Sequence, residues 1–95
     1  MLTSKQRARL RAMANSIPAL YQIGKDGITE TMIEQFNLAL EAKELIKVHV
    51  LENAMMDVRE AAETVAQKTG AQTVQMIGSK FVLYKQSKEN PVIQL

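Results

Sequence analysis

The sequence predicts an α/β protein (an α+β sandwich) built on one four-stranded mixed sheet with helices, its elements running α-β-α-β-α-β-β. Three observations predict it. Segments with apolar residues at helical spacing alternate with short runs rich in β-branched and aromatic residues. Helices lying between strands make crossover connections, so part of the sheet is expected to be parallel, while the last two runs, joined by Gly78-Ser79, read as an antiparallel hairpin. Finally, 95 residues with 46% hydrophobic content suffice for a single domain, 1–95, with one modest core.

Thr3 or Ser4 can cap a first helix that reaches about Ala14, with Leu10, Met13 and Ala14 on its apolar side. Lys5 with Arg9, and Arg7 with Arg11, stand four apart and form two basic ridges flanking that stripe. Pro18 biases the residue before it away from helical angles, so the helix ends over 15–18 and Ala19 to Ile23 reads as a short strand. Gly24-Lys25-Asp26-Gly27 follows as a loop. Thr29 is a good cap for a second helix ending near Lys43 or Glu44, with Met32, Ile33, Phe36, Ala39 and Leu40 on one face and Glu30, Glu34 and Glu41 off it.

Residues 45–51 alternate as a half-buried strand does, with Ile46, Val48 and Val50 on one side and Lys47 and His49 on the other. Residues 52–56 make a turn. Asp57 with Glu60 is a capping signature for a third helix whose buried stripe is Val58, Ala61, Ala62, Val65 and Ala66, and Gly70 suits its left-handed terminator. The hairpin strands are 72–77 and 80–84. Right-handed crossovers gather the second and third helices on one face of the sheet. Residues 89–95 are expected to be a flexible tail.

Charge is unevenly ordered along the chain. Twelve Lys and Arg against ten Asp and Glu leave a net charge of only +2, yet residues 1–25 carry +5 with no acid, residues 26–66 carry −6, and residues 67–95 carry +3. Two basic ends suit a polyanion partner if folding brings them onto one face; solvated helix faces give the same pattern. Two glycines bracketing Lys25 ahead of a helix start would let a phosphate approach the backbone, with the helix N-terminus and the lysine favouring its charge. The same spacing also describes ordinary strand-to-helix turns.

Other chemistries are poorly supplied. One histidine and no cysteine exclude most nucleophile–base pairs, disulfides and metal-ligand clusters, so neither an enzyme nor a cofactor or metal site is expected. His49 reads as a surface or core-edge residue, and Glu30, Glu34, Glu41 and Glu44 as a solvated helix face. No run is long and apolar enough for a membrane span and no signal-peptide pattern opens the chain; a cytoplasmic location is the expectation, with no membrane or small-molecule partner. Nucleic acid fits better. The expected contacts are Lys5, Arg7, Arg9 and Arg11 on the first helix, Gly24, Lys25 and Gly27 in the loop, and Lys80 and Lys85 on the hairpin, with Tyr84 as an option for base stacking.

Four ordered blocks, residues 24–30, 39–48, 69–71 and 74–85, resemble the CRM domain (chloroplast RNA splicing and ribosome maturation), and the length resembles its stand-alone bacterial form. The resemblance implies a fold like the C-terminal domain of bacterial translation initiation factor three. It also implies RNA binding by a basic surface that includes the GxxG loop, and association with ribosomal RNA in precursors of the large subunit. Asp26 departs from a simple cationic cradle, being an acid where a phosphate would approach. A rival reading is a protein-interaction module that docks on a ribosomal protein or assembly factor through the acidic middle helices; a monomer is expected in either reading.

Overall fold

A computed structural model describes residues 2–95. Its elements are α1 (Ser4–Ala14), β1 (Tyr21–Ile23), α2 (Glu30–Lys43), β2 (Leu45–Val50), a 3₁₀ turn (Glu52–Ala54), α3 (Val58–Thr69), β3 (Gln72–Ile77) and β4 (Lys80–Tyr84). Each helix starts where a side chain can accept an orphan amide: Thr3 from Gln6, Thr29 from Met32, and Asp57 from Glu60. At Thr3 the Gln6 side chain returns the bond and completes a capping box. β1 is shorter than the expected 19–23, because its pairing with β2 begins only at Tyr21↔Val48 and leaves Leu20 mostly exposed.

The sheet order is β1-β2-β4-β3, with β1 and β2 parallel and the other pairs antiparallel. The last strand therefore inserts between β2 and β3. On one face Ile23, Ile46, Val48, Val50, Phe81 and Leu83 pack against Phe36, Ala39 and Leu40 of α2 and Ala61, Ala62 and Val65 of α3. Alanines at 61 and 62 let α3 lie close on the strands. On the other face Leu10 and Ala14 of α1 pack on Leu45, Val74, Val82 and Tyr84. The molecule is thus layered as two helices, a sheet, and one helix that covers part of the second face.

Two expectations fail at the end of α2. Glu41 and Glu44 do not form a solvated face, and the tail expected to be flexible is hydrogen-bonded at Glu89, Val92 and Ile93. Glu44 is 0% exposed; its carboxylate accepts the amides of Ser87 at 2.8 Å and of Val92 and Ile93 at 2.7 Å each. Its own carbonyl accepts Lys85 N–H at 2.9 Å. Glu41 accepts the Ser87 hydroxyl and the amides of Lys88 and Glu89. Glu44 also terminates α2 at φ 66°, a left-handed conformation that costs a non-glycine residue about 1 kcal/mol. A glycine would relieve that strain but has no carboxylate to hold the tail.

Burial pushes the Glu44 carboxyl up, but the amides of Ile93, Ser87 and Val92 outweigh it, so its pKa lies below the usual carboxylate value. The Lys88 amide, the Ser87 hydroxyl and the Glu89 amide take Glu41 down to about 2.

Candidate nucleic-acid interface

The sheet separates the charges. None of the four strands contains an acid, nor does α1. Glu30, Glu34, Glu60 and Glu63 belong to α2 and α3 on the opposite side. On the α1 side stand Lys5, Arg7, Arg9 and Arg11, joined by strand residues whose alternation turns them away from the larger core. Register places Gln22, His49, Lys80 and Ile77 in one row across the four strands, and Lys47, Val82 and Gln75 in the next. Lys47 and His49 interrupt the acidic middle of the sequence, where alternation marks them only as the polar side of a strand. The pairing of His49 with Lys80 and of Lys47 with Val82 depends on β4 lying next to β2. Among the described residues the one salt bridge is Arg59–Glu63, at 3.9 Å on the other face, so no cation of the α1 face is in a salt bridge.

The glycine loop sits at one end of this face. Gly27 N–H donates to Gly24 O at 2.9 Å, closing a turn with Lys25 and Asp26 exposed at its tip. The hairpin turn at Gly78-Ser79 is at the same end, since Ser79 O accepts Val50 N–H next to the His49↔Lys80 pair. The helix-terminus part of the expected cradle is altered: α2 begins at Glu30, its Met32 amide is taken by Thr29, and Glu30 is acidic in the first turn. What the loop offers is its exposed tip and Lys25, not the end of α2.

The two glycines differ. Gly27 has φ +69°, which disfavours any side chain, whereas a Cβ on Gly24 would meet Asn53 Oδ1 and Leu51 Cδ1 at an ordinary 3.7 Å. Gly27→Ala is therefore expected to lower stability by about 1 kcal/mol, and Gly24→Ala to leave it nearly unchanged. Paired thermal melts check this, and equal losses in the two variants would contradict the turn geometry.

Three of the expected contacts are otherwise engaged. Arg7 Nη1 donates to the Thr73 carbonyl and pins α1 to the edge strand β3. Lys85 Nζ donates to Thr69 O at 2.7 Å, closing the C-terminal end of α3 at the far end of the sheet from the glycine loop. Tyr84 is 7% exposed in the smaller core, which leaves no face for a base to stack on; burial, and then the nearby Glu44 carboxylate, raise its pKa. Lys5, Arg9, Lys25 and Lys80 are exposed, and Arg11 half-buried. Sequence reasoning missed Lys47, Gln22 and Gln75 on this surface; strand alternation was the available signal for Lys47.

The family model described as "CRS1 / YhbY (CRM) domain" matches residues 2–85. A Bacillus subtilis protein named "Probable RNA-binding protein YqeI" is 47% identical over 95 residues, covering 100% of this chain and 99% of its own. A Haemophilus influenzae protein named "RNA-binding protein" is 32% identical over 88 residues, covering 93% and 89%. The solution structure of a Staphylococcus aureus protein described as "a putative RNA binding protein" superposes with a TM-score of 0.82 at 52% identity, covering 100% of this chain and 99% of that one.

Proposed function

The chain belongs to the CRS1/YhbY (CRM) domain family, and from that premise we propose that it is a non-catalytic RNA-binding protein that contacts ribosomal RNA during assembly of the large ribosomal subunit. The observation that carries the reading is the face formed by α1 and the outward side of the sheet, elements that contain no acid, with Lys80 at one end and Lys5 and Arg9 along the helix; Lys25 adds to it from a loop that also exposes Asp26. Free lysines and arginines on such a face exchange counterions for phosphates, a contact that gives affinity and orientation without reading sequence. The names of the relatives support RNA over DNA. The resemblance to the family supports the ribosomal target and, with it, a cytoplasmic location.

Lys25→Glu combined with Arg9→Glu tests the face. Both side chains are exposed, so the fold should survive, while RNA affinity falls and the slope of log K against log salt becomes shallower by about 1 for each phosphate no longer bound. Unchanged affinity and slope would show that RNA binds elsewhere. Crosslinking in cells, with sequencing of the attached RNA, checks the ribosomal target: reads concentrated in large-subunit RNA are expected. Docking on a protein through the acidic helices has less to offer than the sequence implied, since Glu41 and Glu44 are held by the tail. Pull-downs that lose their partners after nuclease treatment are the expected result.

A further inference from the structure

α1 roofs only part of the second sheet face. Beyond its end lies an open groove of about 180 Å³, lined by Asn15, Lys47, Gln75, Ile77, Lys80 and Val82. Its aliphatic lining is Val82, buried in the sheet, and Ile77, exposed on the edge strand. Lys47 and Gln75 stand on either side of Val82 in the register, and Lys80 pairs with Ile77.

One irregularity of the sheet builds this groove. The β3–β4 register shifts between Thr73 and Gln75, so Val74 and Gln75 both fall on the α1 side: Val74 is buried under the helix and Gln75 borders the opening. In a regular strand they would point to opposite faces. The side-chain oxygens of Gln6 and Gln72 accept backbone amides, whereas no protein hydrogen bond engages the side chains of Asn15 or Gln75 among the described residues.

We propose that this groove holds one unstacked base of a single RNA strand, its edge read by the Asn15 and Gln75 amides and its flanking phosphates met by Lys47 and Lys80. The assignment rests on the RNA-binding reading above and deepens it. An amide presents a donor and an acceptor together, which matches base edges; a phosphate only accepts and would leave both amide oxygens unmatched. The aliphatic lining gives the flat face of a base an apolar surface that a phosphate cannot use. The space takes one base and is too small for a base pair, and single strands are where RNA sequence is read, because their bases can be splayed out. Two lysines on neighbouring strands with no acid between them repel each other, and backbone phosphates relieve that repulsion.

The test is titration of short single-stranded RNA of mixed sequence, and of a duplex of the same length, against the intact protein and its variants. Asn15→Ala with Gln75→Ala is expected to weaken single-strand binding about tenfold, with an unchanged salt slope and unchanged duplex affinity. Lys47→Gln and Lys80→Gln should each lower both affinity and slope, the slope by about 1. Single-strand affinity unmoved by the amide double variant, while Lys25→Glu with Arg9→Glu still weakens it, would overturn the groove and leave the RNA-binding reading standing. Failure of the unmodified protein to bind either RNA would overturn both.

Discussion

Glu44→Ala is expected to destabilise the protein by about 3 kcal/mol or more, since hydrogen bonds to a charged group contribute about 1.5–3 kcal/mol each and three backbone amides lose theirs at once. Loss of the tail's attachment and exposure of the Ile93 site add to the cost, while solvation of the released amides limits it. For a domain of this size that is a drop in melting temperature of roughly 12 °C or more. Glu44→Gly separates the carboxylate from the backbone: it relieves the left-handed strain and should recover about 1 kcal/mol while still losing the clasp. A Glu44→Ala melt within a degree or so of the unmodified protein would show that the clasp contributes nothing.

Acid should reproduce the effect. Both carboxyls are held below their ordinary value of 4.5, Glu41 at about 2, so their contribution is fully present above pH 4.5 and is lost as pH falls toward 2. Amide exchange or chemical shifts of residues 87–93 should report tail release in that window, and release already near neutrality would contradict it.

Leu10→Asp is expected to undock α1. Leu10 is 0% exposed, the principal anchor of the helix in a small core with Leu45, Val74, Val82 and Tyr84. A carboxylate there has no cation to pair with in that cluster, and burying it costs several kcal/mol, about 3–5, a cost that detaching α1 relieves. The larger core on the opposite face shares none of these residues. Hydrogen exchange should therefore show α1 amides losing protection while α2, α3 and the strands keep theirs. RNA affinity should fall at the same time, since Lys5, Arg9 and Arg11 would no longer be held beside the sheet. Complete unfolding would show that the two cores form one cooperative unit.

The helices were legible because their signals are local. Thr3, Thr29, Asp57 and Gly70 stand at the ends they cap, and apolar spacing marks the buried side without reference to the rest of the chain. Pairings between residues distant in sequence were not legible. Glu41 and Glu44 meet the tail 43 to 49 residues later, and periodicity cannot distinguish a carboxylate facing water from one facing distant amides. Arg7 and Lys85 look like free cations in sequence, yet each is aimed at a carbonyl of another element. The basic face was half legible. Charge order pointed to the first helix and the hairpin, but Lys47 joins them only because β4 lies beside β2, a neighbour relation that the element order alone leaves open.

Segregation of charge across the sheet also governs how the molecule travels. At a net charge of +2 its attraction to a polyanion at long range is weak, and the leading electrostatic quantity is instead its dipole moment, directed from the α2 and α3 side toward α1. Such a molecule is turned as it approaches, cation side first, before any contact is made. Its association rate with RNA should consequently fall with added salt more steeply than so small a net charge would imply, and wrongly oriented encounters, with Glu30, Glu34 and Glu63 leading, should be rejected at a distance.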